Sequence, residues 1–407
     1  MKSLLRVSNL RIVSFFLAVI LALPLNWKGL TGFYNWLSPY VMLNSVLALK
    51  SFVFLNIFAF IIIAFLFFRK RWFCNNLCPA GWSCDVVSEL SRRKQLTYKS
   101  MPDINKWMAL ISLIAAAFGL PLFIIFDPLA IFNGFFSIFT GRINLIAVIS
   151  LTGFPILLLL HIFFPGIWCR KLCPLGGFQL IVEDIKNLFK RLVTKQDENT
   201  FSGNAGRRYF IMSGLGVLAG ISIPPVLKPS PSPRIRPPAS VEPSLFNSLC
   251  CRCGNCVKAC PTAIIKPVTD CNEIMAFMTP EISFSKGYCI EDCNLCSRVC
   301  PTGSITLFSI KAKNQLFMGS ALFSPENCLL VNNTECVRCR ESCKYGAIEF
   351  VSGGNILNVM PEIITDRCVG CGACEVVCPA GCIIIEPVSP VYGVKPEKNS
   401  FNPINKG

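Results

Sequence analysis

Cys250-Cys251-Arg252-Cys253-Gly254-Asn255-Cys256-Val257-Lys258-Ala259-Cys260-Pro261 and Cys368-Val369-Gly370-Cys371-Gly372-Ala373-Cys374-Glu375-Val376-Val377-Cys378-Pro379 share one spacing, C-x2-C-x2-C-x3-C-P. Between them lie two looser copies: Cys289, Cys293, Cys296 and Cys300 followed by Pro301, then Cys328, Cys336, Cys339 and Cys343 followed by Lys344. A cubane iron–sulfur cluster needs four thiolates converging on one point. A loop with two residues between cysteines turns three of them inward, and the fourth cysteine usually serves a neighbouring cluster. A single C-x2-C would fit zinc as well. Four quartets in one stretch, three of them closing on Cys-Pro, point to four [4Fe-4S] clusters held by these sixteen cysteines as iron ligands. Each quartet is followed by one apolar pattern, at Ala263-Ile264-Ile265, Ser304-Ile305-Thr306, Ala347-Ile348-Glu349 and Cys382-Ile383-Ile384. A short strand is therefore expected after every cluster loop.

The rest of the chain is more apolar than an ordinary soluble enzyme. Its 407 residues are 53% hydrophobic, with a mean hydropathy of +0.54, so several domains and membrane segments are expected. The net charge of +16 lies almost wholly before Tyr209. That distribution reads as positive-inside topology and not as a nucleic-acid footprint.

Four apolar runs precede the clusters: Ile12 to Leu25, Val46 to Phe68, Met108 to Phe126 and Ile143 to Phe164. Trp27 and Lys28 are placed to sit at an interface after the first. Basic segments, Arg69-Lys70-Arg71 and Arg170-Lys171, follow the second and fourth. Four spanning helices with both ends inside is the economical reading. The second and fourth runs also lead into one motif, Cys74-Asn75-Asn76-Leu77-Cys78-Pro79 and Cys169-Arg170-Lys171-Leu172-Cys173-Pro174. The copies still track at Gly81 and Gly176 and at Glu89 and Asp184, so this half is an internal duplication. Such a duplication brings Cys74, Cys78, Cys169 and Cys173 together as a candidate fifth cluster or metal site; the alternative is a pair of helix-ending turns whose thiols pack or work in pairs. Cys84 faces Gln179 in the other copy and is left out of the set.

Gly206-Arg207-Arg208-Tyr209-Phe210 precedes a Gly-rich, moderately apolar stretch to Val226. Two arginines, a free position and Phe resemble a twin-arginine export signal, here an uncleaved anchor, with an ordinary fifth helix as the alternative. Pro229-Ser230-Pro231-Ser232-Pro233 and Pro237-Pro238 mark a semi-rigid stalk. The expected domains are a four-helix module at 1–175, a cytoplasmic connector at 176–205, the signal anchor at 206–226, a Pro-rich linker at 227–246, a four-cluster domain at 247–390 and a loose tail at 391–407.

With these motifs in view the chain resembles two families joined end to end. The first part, with its paired C-x3-C-P motifs, Ser38-Pro39 and Asp127-Pro128-Leu129, is similar to the membrane quinol-oxidising subunits of the NapH and NosR type. From about Arg207 it resembles the exported ferredoxins of the NapG and MauM type. The NapH type usually adds a two-cluster ferredoxin after its fourth helix; residues 176–204 hold no cysteine. The resemblance implies a multi-domain fold, an all-α transmembrane bundle followed by an α+β ferredoxin-like poly-cluster domain. It implies a multi-pass protein of the bacterial cytoplasmic membrane with the clusters on the periplasmic side, working in anaerobic respiration.

The function expected is electron transfer from the quinone pool, with quinol as substrate, to a periplasmic redox partner such as a reductase or cytochrome. The chain is then a quinol dehydrogenase component and not a terminal catalytic subunit. The rival reading is a maturation or regulatory factor for a periplasmic metalloenzyme. No C-x2-C-H haem site is present, and His161 is the single histidine, which excludes a bis-histidine haem. His161 is a candidate acceptor of a quinol proton, or a satisfied helix histidine; Asp127 is a proton exit, or a turn residue before Pro128. Cys382 fills a small-residue slot, while Cys251 and Cys271 have no role. By analogy with four-cluster electron-transfer subunits, the first quartet is expected to exchange its fourth cysteine with the last, and the second with the third. Exchange between adjacent quartets is the alternative.

Overall fold

The structure is a computed structural model that describes residues 9–25, 29–91, 98, 101–140, 148–149, 151–194, 203–226, 233–285, 287–332, 334–352 and 359–387. Trp27, Lys28, residues 195–202 of the connector, residues 227–232 of the Pro-rich linker and the tail at 391–407 lie outside the described residues.

The first half is built twice in the same order. A helix (Asn9–Ala22) is followed by a second opening on proline (Pro39–Leu49), a third (Ile57–Phe68), a cysteine-bearing turn (Trp72–Asn76) and a fourth again opening on proline (Pro79–Leu90). The second copy runs Ile104–Ala116, Pro128–Phe135, Gly153–Phe163, a turn at Trp168–Leu172 and Pro174–Thr194. Proline suits these openings because the first helical N–H has no partner in any case. Ser38 and Asp127 cap the equivalent helices and meet each other: Ser38 Oγ donates to Asp127 Oδ2 at 2.9 Å, and Asp127 Oδ1 accepts from the Leu129 and Ala130 N–H groups at 2.9 and 3.2 Å. Asp127 is thus the turn residue of the two readings. Tyr40, Phe73, Leu129, Phe132 and Leu175, all nearly or fully buried, share the core of this half.

The expected transmembrane bundle does not form. Among the described residues no helix is long and apolar enough to cross a membrane. The physical reason lies in the backbone. Lys50 adopts a left-handed conformation (φ 53°) and Gly119 another (φ 83°), so the apolar runs at 46–68 and 108–126 break. Among the described residues the helices of the four runs are 14, 12, 13 and 11 residues long, against roughly 20 for a span. The longest helices are Pro174–Thr194, which is amphipathic and charged, and Gly203–Val226. The multi-pass membrane placement, and with it the sidedness assigned to the clusters, falls with the bundle.

The Gly203–Val226 helix, where the signal anchor was expected, packs along Ile104–Ala116. A Cβ at Gly216 would stand 2.8 Å from Ile114 Cβ, so the close approach requires glycine. Tyr209 Oη and Lys106 Nζ both donate to Asp184 Oδ2, each at 2.5 Å.

The second half has few strands, and they pair as antiparallel ribbons: β1 (Ile265–Pro267) with β2 (Pro280–Ile282), β3 (Ser320–Phe323) with β6 (Ile383–Glu386), and β4 (Ile348–Ser352) with β5 (Val359–Ile363). A strand follows the first, third and fourth cysteine runs. After the second only a single bridge forms, between Ile305 and Ser240. Residues 233–242, at the end of the Pro-rich linker, lie on this half. The Arg236 guanidinium is buried, donates to Thr279, Pro280 and Asn247 and stacks on Phe246 at 4.8 Å.

The halves dock through the first cysteine loop. Lys258 Nζ, buried, donates to the carbonyls of Ala22 and Asn133 at 3.2 and 3.0 Å, both at helix C-terminal ends where a cation is favoured. Asn255 Nδ2 reaches Asn35 Oδ1 at 3.1 Å, and Asn56 Nδ2 reaches the Pro301 carbonyl at 2.8 Å.

Burial pushes the Asp127 carboxyl up to about 6, against the lowering by Ser38 and the two backbone donors. A raised carboxyl pKa contributes stability below its unfolded value, and that contribution is lost as pH rises through about 6. Thermal melts between about pH 5 and pH 8 should show a falling midpoint for the native chain and a flatter profile for Asp127→Asn. Asp127→Ala, which removes the cap and strands Ser38, should cost about 1 to 2 kcal/mol.

Candidate metal centres

Each cysteine loop is a turn followed by one turn of helix. In the first and last loops the residue after the second cysteine is Gly254 or Gly372, with φ of 66° and 81°. Both cap the short helices Asn255–Ala259 and Ala373–Val377. The left-handed step swings the third cysteine round toward the first two, and a side chain there would be strained. At the helix end the fourth cysteine is extended, Cys260 at φ −67° and ψ 116° and Cys378 at φ −72° and ψ 111°. Its sulfur is therefore delivered away from its own loop.

Four cavities receive these thiols, four quartet cysteines to each. Cavity I is lined by Cys250, Cys253, Cys256 and Cys300; cavity II by Cys289, Cys293, Cys296 and Cys260. Cavity III is lined by Cys328, Cys336, Cys339 and Cys378, and cavity IV by Cys368, Cys371, Cys374 and Cys343. The fourth cysteines are thus exchanged between first and second loops and between third and fourth. The expected exchange of the first with the last and the second with the third is not what the chain does. The exchanging loops lie side by side: the Asn255–Ala259 helix packs on Leu295–Arg298 as Arg338–Ser342 packs on Ala373–Val377.

The donor set fits a [4Fe-4S] group at each cavity: four soft sulfur ligands, apolar walls and backbone N–H groups aimed at sulfur. Ala347 N–H donates to Cys343 Sγ at 3.2 Å and Ile305 N–H to Cys300 Sγ at 3.5 Å. Burial pushes the Cys250 thiol up to about 12 and Cys371 to about 11, the behaviour of sulfurs that ionise only with a cation beside them.

The cavities succeed one another in the order I, II, IV, III. Exchanged cysteines link I to II and III to IV. The middle join is direct: Cys289 N–H donates to the Cys371 carbonyl at 2.9 Å, and the Tyr345 hydroxyl lies in the field of both thiols. Cavity I faces the helical half, lined also by Ser137 and Leu151, and Cys251 and Cys253 pack on Val41, Ile124 and Ala130. Around cavity III, Val337, Arg338 and Arg340 are exposed. Cys382 lines cavity III with its sulfur 3.3 Å from Cys378 Sγ, Cys251 lines cavity I, and Cys271 is exposed.

In the helical half, Cys74, Cys78, Cys169 and Cys173 are neighbours. The Cys78 thiol is raised first by burial and then by the charges of Cys74, Cys169 and Cys173. The two copies present equivalent donors: Gly81 N–H to Cys78 Sγ at 3.3 Å and Gly176 N–H to Cys173 Sγ at 3.4 Å. Gln179 Nε2 lies 3.0 Å from Cys74 Sγ. Tyr40, fully buried, is within the field of both Cys173 and Asp127, and its neighbour Val41 touches Cys251 and Cys253. Tyr40 and Val41 thus lie between these thiols and the cluster that backs cavity I. His161 and Cys84 also adjoin Cys169. The sequence reading set Cys84 aside; the signal that could have found it is its replacement of Gln179 in an otherwise repeated motif.

A 4Fe-4S binding domain family matches residues 51–97 and 146–195, around the two C-x3-C-P motifs, and a second family of the same description matches residues 243–266 and 361–384. Over 157 residues the chain is 32% identical to the ferredoxin-type protein NapG of Escherichia coli K12, covering 36% of this chain and 66% of that relative. The chain therefore spans just under two thirds of that relative's length. It is 32% identical over 156 residues to the ferredoxin-type protein NapF of the same organism, covering 37% of this chain and 84% of NapF. The methylamine utilization ferredoxin-type protein MauM of Methylorubrum extorquens is 27% identical over 180 residues, covering 42% and 80%. No solved structure matches the chain.

The exchange of cysteines is directly testable by iron content. Cys253→Ser and Cys300→Ser should each cost about four irons per chain, and the double variant no more, because both sulfurs serve cavity I. Cys253→Ser combined with Cys378→Ser should cost about eight.

Proposed function

The chain belongs to the ferredoxin-type iron–sulfur proteins that include NapF, and from that premise we propose a four-cluster electron conductor whose entry lies at the helical half. Electron transfer in general is what its relatives are named for as ferredoxin-type proteins; the finer reading concerns number, order and donor. The observation that carries it is the exchange of fourth cysteines together with the Cys289 to Cys371 contact, which puts sixteen thiols in one unbranched succession.

When bound, [4Fe-4S] clusters supply one-electron storage and transfer, over potentials set by hydrogen bonds to sulfur, charge and exposure. The residues of the chain do the rest. The loops fix the sulfurs, and the N–H groups of Ala347 and Ile305 steady Cys343 and Cys300. Lys258, whose pKa burial lowers to about 8, places a cation beside the first loop at neutral pH. Phe246, Ile264, Ile282, Phe284 and Ile383 keep water from the sulfurs. Cavity III, at the exposed end, is where a redox partner protein would take up or deliver electrons.

We extend the reading to the helical half, where Cys74, Cys78, Cys169 and Cys173 form a fifth cluster or metal site and a quinol is the electron donor. The resemblance of this half to quinol-oxidising modules of the NapH and NosR type supports it, as do the proximity of the four thiols and the place of Val41 in the cluster that backs cavity I. The test is anaerobic iron counting and EPR after addition of a reduced, water-soluble quinol. About sixteen irons mark the four quartets alone and about twenty add the fifth site. Cys74→Ser and Cys169→Ser should leave the sixteen in place and slow quinol reduction of the four clusters by about two orders of magnitude or more. Reduction at the native rate in both variants would remove these thiols from the path.

A further inference from the structure

The electron-transfer reading leaves one buried donor without a task. His161, the single histidine, lies in the last turn of Gly153–Phe163 and is fully buried. Its Nδ1 is 2.8 Å from the Leu157 carbonyl, one turn back. A carbonyl only accepts, so Nδ1 carries the proton and Nε2 presents its lone pair. Nε2 is buried, makes no hydrogen bond of ordinary geometry among the described residues, and has the Cys169 thiol as its polar neighbour. A ring nitrogen held by a backbone carbonyl, with the other nitrogen free, is how proteins prepare an imidazole for a metal.

What lies beside that nitrogen is sulfur. One ligand atom each from Cys84, His161 and Cys169 lies within 4.8 Å of the other two. Cys84, fully buried, comes from the Pro79–Leu90 helix, and Cys169 from the turn Trp168–Leu172. This is where the two copies of the repeat part company. The spacing that aligns Cys74 with Cys169 sets Cys84 against Gln179 and His161 against Leu66. The turn holding Cys169 is a π-turn, whereas its counterpart Trp72–Asn76 is α-helical. Such turns are often found at functional sites. Three departures from the repeat thus converge on one point.

We propose that Cys84, Cys169 and His161 Nε2 form a site for one divalent transition-metal ion of the zinc class. Two thiolates and an imidazole are a borderline-soft donor set, suited to such an ion and unsuited to calcium or magnesium, which need oxygen. Two thiolates also cancel the charge of a dication, so the loaded site is neutral, as a buried position requires. On binding, the two thiol protons leave to solvent and two metal–sulfur bonds and one metal–nitrogen bond form. Three donors leave the fourth tetrahedral position open. Cys169 is shared with the four-thiol group, so the ion's charge bears directly on that group. The assignment holds whether or not the four quartets carry electrons, but a fifth cluster on Cys74, Cys78, Cys169 and Cys173 would compete with it for Cys169.

The test uses the full chain, purified anaerobically with its iron in place, incubated with Zn2+ and freed of loose metal. Zinc and iron are counted, and the zinc environment is read by X-ray absorption at the zinc edge. One zinc per chain is expected, bound by two sulfurs at about 2.3 Å and one ring nitrogen at about 2.0 Å, with iron unchanged. His161→Gln and Cys84→Ser should each weaken zinc retention by about tenfold or more. Cys271→Ser, at an exposed cysteine elsewhere, should not. Unchanged iron in the His161 and Cys84 variants shows that they have folded. Absence of retained zinc, zinc bound by four sulfurs without nitrogen, or undiminished retention in His161→Gln would each overturn the assignment.

Discussion

The arrangement depends on one constraint: a short cysteine loop can turn three sulfurs to a common point and cannot turn the fourth. The fourth must come from elsewhere, and at Cys260, Cys300, Cys343 and Cys378 it is thrown past a one-turn helix into the neighbouring loop's cavity. Each exchange locks two loops together without needing a large sheet between them. Among the described residues, the half of the chain with the cysteines holds three two-stranded ribbons and no larger sheet. The apolar residues after each loop, such as Ile264, Ile305, Ile348 and Ile383, then close over the sulfurs as a shared core.

The same constraint governs how the halves meet. The first loop cannot stand free, because its outer face carries Asn255 and Lys258, both buried against the helical half. A buried ammonium costs several kcal/mol unless it is bonded, and Ala22 and Asn133 supply the carbonyls. The docking thus ties cavity I to the helix C-terminal ends at Ala22 and Asn133, while cavity III stays at the outer end. Direction along the molecule follows from which loop can be buried.

The cysteine quartets, the strands after three of them, the duplication of the first half and the grouping of Cys74, Cys78, Cys169 and Cys173 were legible because each rests on local spacing. Which loops exchange sulfurs was not, since C-x2-C-x2-C-x3-C fixes the reach of a sulfur but not its destination. The apolar runs were legible as helices and misleading as spans. Hydropathy sums over a window and does not register a single left-handed residue such as Lys50 or Gly119 that ends a helix. Asp127 reads from sequence as a proton exit or as a turn residue before Pro128, and its donors Leu129 and Ala130 decide for the turn, where it caps the helix. Cys84 and His161 belong to different elements, so their meeting required the tertiary fold, although the mismatch with Gln179 and Leu66 already marked the position.

The central claim, that four thiol sets form one succession by exchange between adjacent loops, is tested most directly by an anomalous difference map from crystals of the iron-loaded chain at the iron edge. One iron peak is expected inside each of the sets completed by Cys300, Cys260, Cys378 and Cys343, with the peaks following the order I, II, IV, III. A peak joining Cys250, Cys253 and Cys256 to Cys378, or an iron site missing from any set, would contradict it.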